Sequence, residues 1–199
     1  MKNWFKNRYS RYRTFKNECK QTRRVLYHSL DFFETIIVAL IFALLIKAFV
    51  LQVSVVPTGS MIPTLIGGVD GKFNDRLFVN KFIYYFTEPK RGDIVVFKSP
   101  HLDGKDYVKR CVGLPGDTIE IRQGIVYING NELILVGVDI QRDYDYYGPK
   151  KIPENSYFML GDNRSKSLDS RSWGFVDSRD IQGKALFTFW PINQMRALR

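Results

Sequence analysis

The 199 residues predict a mostly β domain standing behind one N-terminal transmembrane helix. Three observations carry that expectation. Nine Lys/Arg against three acids fill residues 1–34, an uncharged apolar run follows at 35–46, and beyond residue 57 the apolar residues come in short runs broken by Gly, Pro and Asn. A chain of this length buries one substantial core, so one folded unit plus a membrane segment is the expected organisation.

The helix comes first in order. Thr35-Ile-Ile-Val-Ala-Leu-Ile-Phe-Ala-Leu-Leu-Ile46 contains no charge, and apolar character resumes after Lys47 as Ala-Phe-Val-Leu51. The uncharged run alone is shorter than the roughly 20 residues that span a bilayer. Lys47 can snorkel to the interface and so extend the segment to Leu51. Basic residues cluster on the N-terminal flank. This orients the helix with residues 1–34 cytoplasmic, 35–51 as anchor and 52–199 outside, a single pass through the plasma or inner membrane. Of the formal net charge of +10, the first 34 residues carry +6, leaving +4 for the rest. Charge placed so close to an apolar span reads as attraction to anionic lipid rather than to nucleic acid. No small-x-small cleavage site follows the run before Pro57, so the anchor is expected to stay. Cys19 and Cys111 fall on opposite sides of the membrane, which excludes an intramolecular disulfide. Cys111 reads as a small apolar core residue.

The strands follow. Apolar alternation predicts them at 76–80, 93–97, 107–112, 118–122, 125–128, 156–160 and 185–190. Gln123-Gly124 and Asn129-Gly130 mark hairpin turns. The stretch 138–153, rich in Asp, Tyr and Lys, reads as an exposed loop.

The chain has two histidines, His28 before the apolar run and His101 in a polar loop. A Ser-His-Asp triad would depend on His101 alone, and a zinc site with two His ligands has no material outside the membrane. A hydrolase built on this chain therefore needs another base. Lysine serves when an apolar setting lowers its pKa. Two segments offer the parts. Val56-Pro57-Thr58-Gly59-Ser60-Met61-Ile62-Pro63-Thr64-Leu65 presents a serine on a turn stiffened by proline, which is equally the composition of an ordinary loop beside a membrane. In Tyr107-Val-Lys-Arg-Cys-Val112, strand alternation puts Tyr107, Lys109 and Cys111 on one face and Val108, Arg110 and Val112 on the other. Lys109 is then either partly buried or solvent-facing on an edge strand.

Four segments taken together resemble the successive boxes of type I signal peptidases, in order and in spacing. They are Pro57-Thr-Gly-Ser-Met-Ile-Pro-Thr-Leu65, Arg91-Gly-Asp-Ile-Val-Val-Phe97, Tyr107-Val-Lys-Arg-Cys-Val-Gly-Leu-Pro-Gly-Asp117 and Gly161-Asp-Asn-Arg-Ser-Lys-Ser-Leu-Asp-Ser-Arg171. The resemblance implies the complex, largely β fold shared by signal peptidases and self-cleaving repressors, and a Ser-Lys serine endopeptidase that removes N-terminal signal peptides from exported preproteins. It makes Ser60 the nucleophile and Lys109 the general base. The oxyanion hole falls to the Ser60 N–H and the Thr58 hydroxyl, and Ser167 is implied to hydrogen-bond the base lysine. Asp162, Arg164, Asp169 and Arg171, with Arg110, match charged positions that hold the site together. Neither cofactor nor metal is implied.

The resemblance also implies shallow apolar pockets for small side chains at the first and third positions before the cut, with Val56, Met61, Leu65, Tyr107 and Val108 as their lining. Phe82-Ile-Tyr-Tyr-Phe86, with Trp173 and Trp190, is expected to dip into lipid. Asn74-Asp75-Arg76 departs from the usual Gly-Asp-Arg, and Asn is expected to tolerate a positive φ there. Two other readings remain. A self-cleaving repressor would carry a DNA-binding helix-turn-helix where this chain has its apolar run, and a catalytically silent, membrane-tethered binding module differs only in lacking activity.

Overall fold

From residue 51 onward, alternating apolar and polar residues fold into antiparallel strands. The structure, a computed structural model, describes residues 10–15, 24–49, 51–100 and 104–198, with helix side chains described over 10–15 and 28–44. Cys19, His101 and the Lys47 side chain, on which parts of the sequence reading rest, lie outside the described residues.

The chain divides into two units, Met1–Ala48 and Phe49–Arg199. The first holds the helix α1 (Arg24–Phe49) except for its last residue. Apolar side chains stand exposed along α1, among them Ile37, Leu40 and Phe42. Among the described residues no helix is long and apolar enough to cross a membrane. The expected span, 35–51, runs past the last described side chain of α1, at residue 44.

The second unit carries the strands β1 (Leu51–Val55), β2 (Arg76–Asn80), β3 (Ile94–Lys98), β4 (Asp106–Gly113), β5 (Thr118–Arg122), β6 (Ile125–Ile128), β7 (Asn131–Glu132), β8 (Tyr147–Lys151), β9 (Ser156–Leu160), β10 (Val176–Asp177), β11 (Ile181–Trp190) and β12 (Arg196–Ala197), with one helical turn, α2 (Ser170–Trp173). The larger sheet runs β1-β2-β11-β3-β4-β9-β10, with β12 added to β11, and the smaller runs β7-β6-β5-β8.

Burial explains why the middle of the large sheet reads as a continuous apolar run. On β3, Ile94 and Val96 enter one core cluster with Val56, Met61, Leu65 and Leu77, while Val95 and Phe97 enter another with Cys111, Tyr157 and Met159. A strand covered on both faces needs apolar residues at every position. A third cluster, Val112, Ile119, Ile121, Phe158 and Leu160 among its members, joins the small sheet to the large one.

Both expected hairpin turns are present. Gln123 and Gly124 have φ of 51° and 75°, Asn129 and Gly130 of 53° and 84°, the left-handed pairs that two-residue hairpins demand. Asn74 does not have the positive φ expected of it. Its Oδ1 instead accepts the Gly68 N–H at 3.0 Å, so the side chain closes the turn by hydrogen bonding. Two segments differ more substantially from expectation. Residues 51–55, read as the anchor's last residue and its exit, form β1, which pairs with β2 along its whole length. Residues 147–151, read as loop, form β8 on the edge of β5.

Candidate active site

The turn that carries Ser60 follows β1 directly, and its neighbours fix it. Val56 and Met61 are buried in the core on either side, Val56 N–H donates to Asp75 O at 3.0 Å, and Leu65 N–H donates to Met61 O at 2.8 Å. Asp75 is itself buried, and its Oδ2 accepts from Ile66 N–H at 2.8 Å and Arg196 Nη2 at 2.7 Å. Gly59–Met61 form a single 3₁₀ turn on top of this base, with Ser60 5 % exposed.

Lys109 arrives from β4, which lies between β3 and β9 and so is not an edge strand. It too is 5 % exposed, and its Nζ is 2.5 Å from Ser60 Oγ. Burial lowers its pKa from 10.5 to about 8, against the opposing pull of Asp169 and Asp162. The ammonium has exchanged water for protein and a single hydroxyl, which disfavours the charged form. Thr58 Oγ1 lies 3.2 Å from Ser60 Oγ. The Tyr107 ring sits 5.9 Å from Lys109 Nζ and packs against Trp173.

A third segment, after β9, closes around both. Asn163 N–H donates to Ser60 O at 3.1 Å, and Asn163 Nδ2 to Gly59 O at 3.2 Å. Gly161 has no room for a side chain. A Cβ there would overlap Ser167 Oγ and come within 2.5 Å of Ser60 O. Ser167 Oγ is buried without a hydrogen-bond partner, so the expected bond to Lys109 is not formed.

The charged residues form two linked clamps. Arg110 donates from Nε to Asp162 Oδ1 at 2.8 Å and from Nη2 to Asp162 Oδ2 at 2.6 Å, with both residues 1 % exposed. Thr64 Oγ1 also donates to Asp162, at 2.5 Å. Arg171 forks onto Asp169 at 2.8 and 2.9 Å, reaches Asp143 at 2.5 Å and donates to Arg164 O at 2.6 Å. Arg164 Nε in turn donates to Gly161 O at 3.0 Å. Removing one partner of a buried pair strands the other charge at about 3–5 kcal/mol, which makes these clamps hard to open.

Above Ser60 and Lys109 lies a cleft of about 520 Å³. Val56, Tyr107 and Val108 line it as expected, together with Thr58, Lys166 and Leu168. Met61 and Leu65 are fully buried in the core and do not line it. Reasoning from the sequence did not single out Asn163, Thr64 or Asp143. Asn163 stands inside the Gly161–Arg171 segment, whose charges drew attention away from a neutral side chain. Of the aromatic surface, Phe82, Tyr85, Phe86 and Trp190 are exposed, but Trp173 packs on Phe97 and Tyr107, and Tyr84 donates to Asp93 at 3.2 Å.

A buried lysine at hydrogen-bond distance from a serine, on the floor of an apolar cleft, is an arrangement in which an amine can activate a hydroxyl as nucleophile. Comparison with known proteins shows what the chain is similar to. A family model described as signal peptidase, peptidase S26, matches residues 29–190. A signal peptidase I of Leptolyngbya laminosa is 40 % identical over 173 residues, covering 83 % of this chain and 81 % of that protein. One from Bacillus licheniformis is 40 % identical over 183 residues, covering 83 % and 91 %. The crystal structure of a signal peptidase I from Enterococcus faecalis V583 aligns at 36 % identity with a TM-score of 0.43, over 49 % of this chain and 97 % of that one. The matched sequence takes in every residue that lines the cleft, and on that extent of agreement the chain belongs to the signal peptidase family, peptidase S26.

Proposed function

We propose that this chain, a signal peptidase I serine hydrolase acting on signal-peptide-bearing preproteins, uses Ser60 as nucleophile and Lys109 as general base, and that α1 anchors it with residues 1–34 cytoplasmic and 52–199 as the extracytoplasmic catalytic domain. One observation carries the chemistry: the 2.5 Å approach of Lys109 Nζ to Ser60 Oγ, with both residues 5 % exposed. Neutral Lys109 takes the Ser60 proton as Oγ attacks the scissile carbonyl. The Ser60 N–H and the Thr58 hydroxyl receive the oxyanion. As the C–N bond breaks, the Lys109 ammonium gives its proton to the leaving amine, and an acyl-enzyme remains on Ser60. Water, deprotonated by Lys109, then hydrolyses the ester. Val56, Tyr107 and Val108 give the cleft a short apolar wall suited to small side chains. Asp162, Arg164, Asp169, Arg171 and Arg110 hold the segment after β9 against the site. The anchor rests on the apolar residues exposed along α1 and the basic flank before it.

The experiment is cleavage of a preprotein by purified, detergent-solubilised protein, with the cut mapped by mass spectrometry. Ser60→Ala abolishes cleavage and leaves the unfolding transition unchanged. Lys109→Arg is as inactive as Lys109→Ala, because arginine does not deprotonate in a protein. Turnover by Lys109→Arg near that of the parent would assign the base elsewhere.

A further inference from the structure

We infer that Asn163 is a positioning residue for the oxyanion hole, turning the Gly59–Ser60 peptide so that the Ser60 N–H faces the cleft. The inference rests on the Ser60 reading above. Gly59 C=O and Ser60 N–H belong to one peptide unit, and that unit is planar and trans, so its oxygen and hydrogen point in opposite directions. Whatever holds the carbonyl therefore aims the N–H. Asn163 Nδ2 holds it at 3.2 Å, from a side chain in a residue only 4 % exposed. The Asn163 N–H fixes the next carbonyl, that of Ser60, at 3.1 Å. Asn163 itself is oriented by Ser165 Oγ, which donates to its Oδ1 at 3.2 Å and leaves Nδ2 as the group facing Gly59. The turn itself adds a second donor to the same carbonyl, the Ile62 N–H at 3.3 Å.

On the other side of the peptide, the Ser60 N–H has no acceptor among the described residues. A backbone donor left without a protein partner keeps one orientation only where the surroundings enforce it. Asn163 supplies that enforcement. When a tetrahedral oxyanion forms at Ser60 Oγ, the donor is already aimed, so no reorganisation accompanies the reaction.

The test separates this role from a structural one. Asn163→Ala deletes the side-chain donor and keeps the backbone bond to Ser60 O. kcat falls about tenfold to a hundredfold, somewhat less than loss of the donor outright. KM stays the same, and so does the acidic limb of the pH profile, because Asn163 is neutral. A peptide aldehyde, whose adduct on Ser60 bears the oxyanion, loses affinity by the same factor as kcat/KM. A peptide with a methylene in place of the scissile carbonyl binds unchanged. Asn163→Asp is the second variant and keeps the shape of the side chain. It faces Gly59 O with an acceptor, and in the alkaline plateau its kcat is no higher than that of Asn163→Ala. Wild-type kcat in Asn163→Asp, or a loss in Asn163→Ala that appears in KM and in the methylene peptide, overturns the inference. Ser60→Ala run in parallel keeps the two questions apart. Residual cleavage there overturns the nucleophile assignment, whereas an inactive Ser60→Ala beside a normal Asn163→Ala overturns only the role of Asn163.

Discussion

Lys109 sits where burial serves the reaction and opposes the fold. Its pKa, lowered from 10.5 to about 8 chiefly by desolvation, means that the folded protein binds fewer protons than the unfolded chain between those values. Stability therefore rises with pH across that window and is depressed below it, by about 3 kcal/mol at neutral pH. Lys109→Met keeps the length and removes the charge. The variant is expected to be inactive yet to unfold at higher urea than the parent at pH 7, with the gap narrowing as pH climbs through 8 towards 10.5. A Met variant less stable than the parent at pH 7 would mean that Asp169 and Asp162 compensate the ammonium after all. The same titration sets the activity profile. Under the proposed mechanism kcat/KM rises as pH passes upward through about 8, because only the neutral amine accepts the Ser60 proton. A buried ammonium that weakens the fold is the form a trade between stability and activity takes at one residue.

At the level of elements, the two hairpin turns of the small sheet have the same backbone and different surroundings. Gly124 and Gly130 both hold positive φ, 75° and 84°. A Cβ on Gly130 meets open space, whereas one on Gly124 would overlap the Asp143 carbonyl oxygen. Gly130→Ala is expected to cost only the left-handed strain, about 1–2 kcal/mol. Gly124→Ala costs more, and it also lowers activity, because it pushes away the stretch whose Asp143 carboxylate binds Arg171 at 2.5 Å. Urea midpoints and turnover measured on both variants check this, and equal losses would remove the proposed tie between hairpin and site. The turns were legible in the sequence because Gln-Gly and Asn-Gly announce their own conformation, and β2, β5 and β6 because alternation and burial agree. β8 was not. Its Gly148-Pro-Lys-Lys151 is exposed and carries no apolar signal, so only its pairing with β5 makes it a strand. β1 was hidden for the opposite reason, its apolar residues merging with those of the helix before it. Residue type and strand pattern left Ser60 and Lys109 open, and only the resemblance of their segments to a known family singled them out. Asn163 works through backbone carbonyls, which no side-chain pattern advertises.

Across the whole molecule, charge and cysteine are distributed in a way that allows the proposed topology to be read with a single label. The chain has two cysteines. Cys111 is fully buried, and burial pushes its thiol up to about 12, so in the folded protein it offers neither access nor thiolate to a reagent. Cys19 lies within the block where nine bases meet three acids. The exposed apolar surface of the second unit, including Phe73, Phe86 and Ile192, is of the kind that settles onto lipid and is expected to do so from the outer side. A membrane-impermeant maleimide applied to intact cells should therefore leave the protein unlabelled. After permeabilisation it should add one label, at Cys19, and Cys19→Ser should abolish that label. Unfolding in denaturant should then expose a second site, Cys111, which shows that its silence was burial rather than oxidation. Labelling of Cys19 in intact cells would put the basic segment outside and the Ser60 cleft in the cytoplasm, away from exported preproteins, and the proposed orientation would have to be reversed.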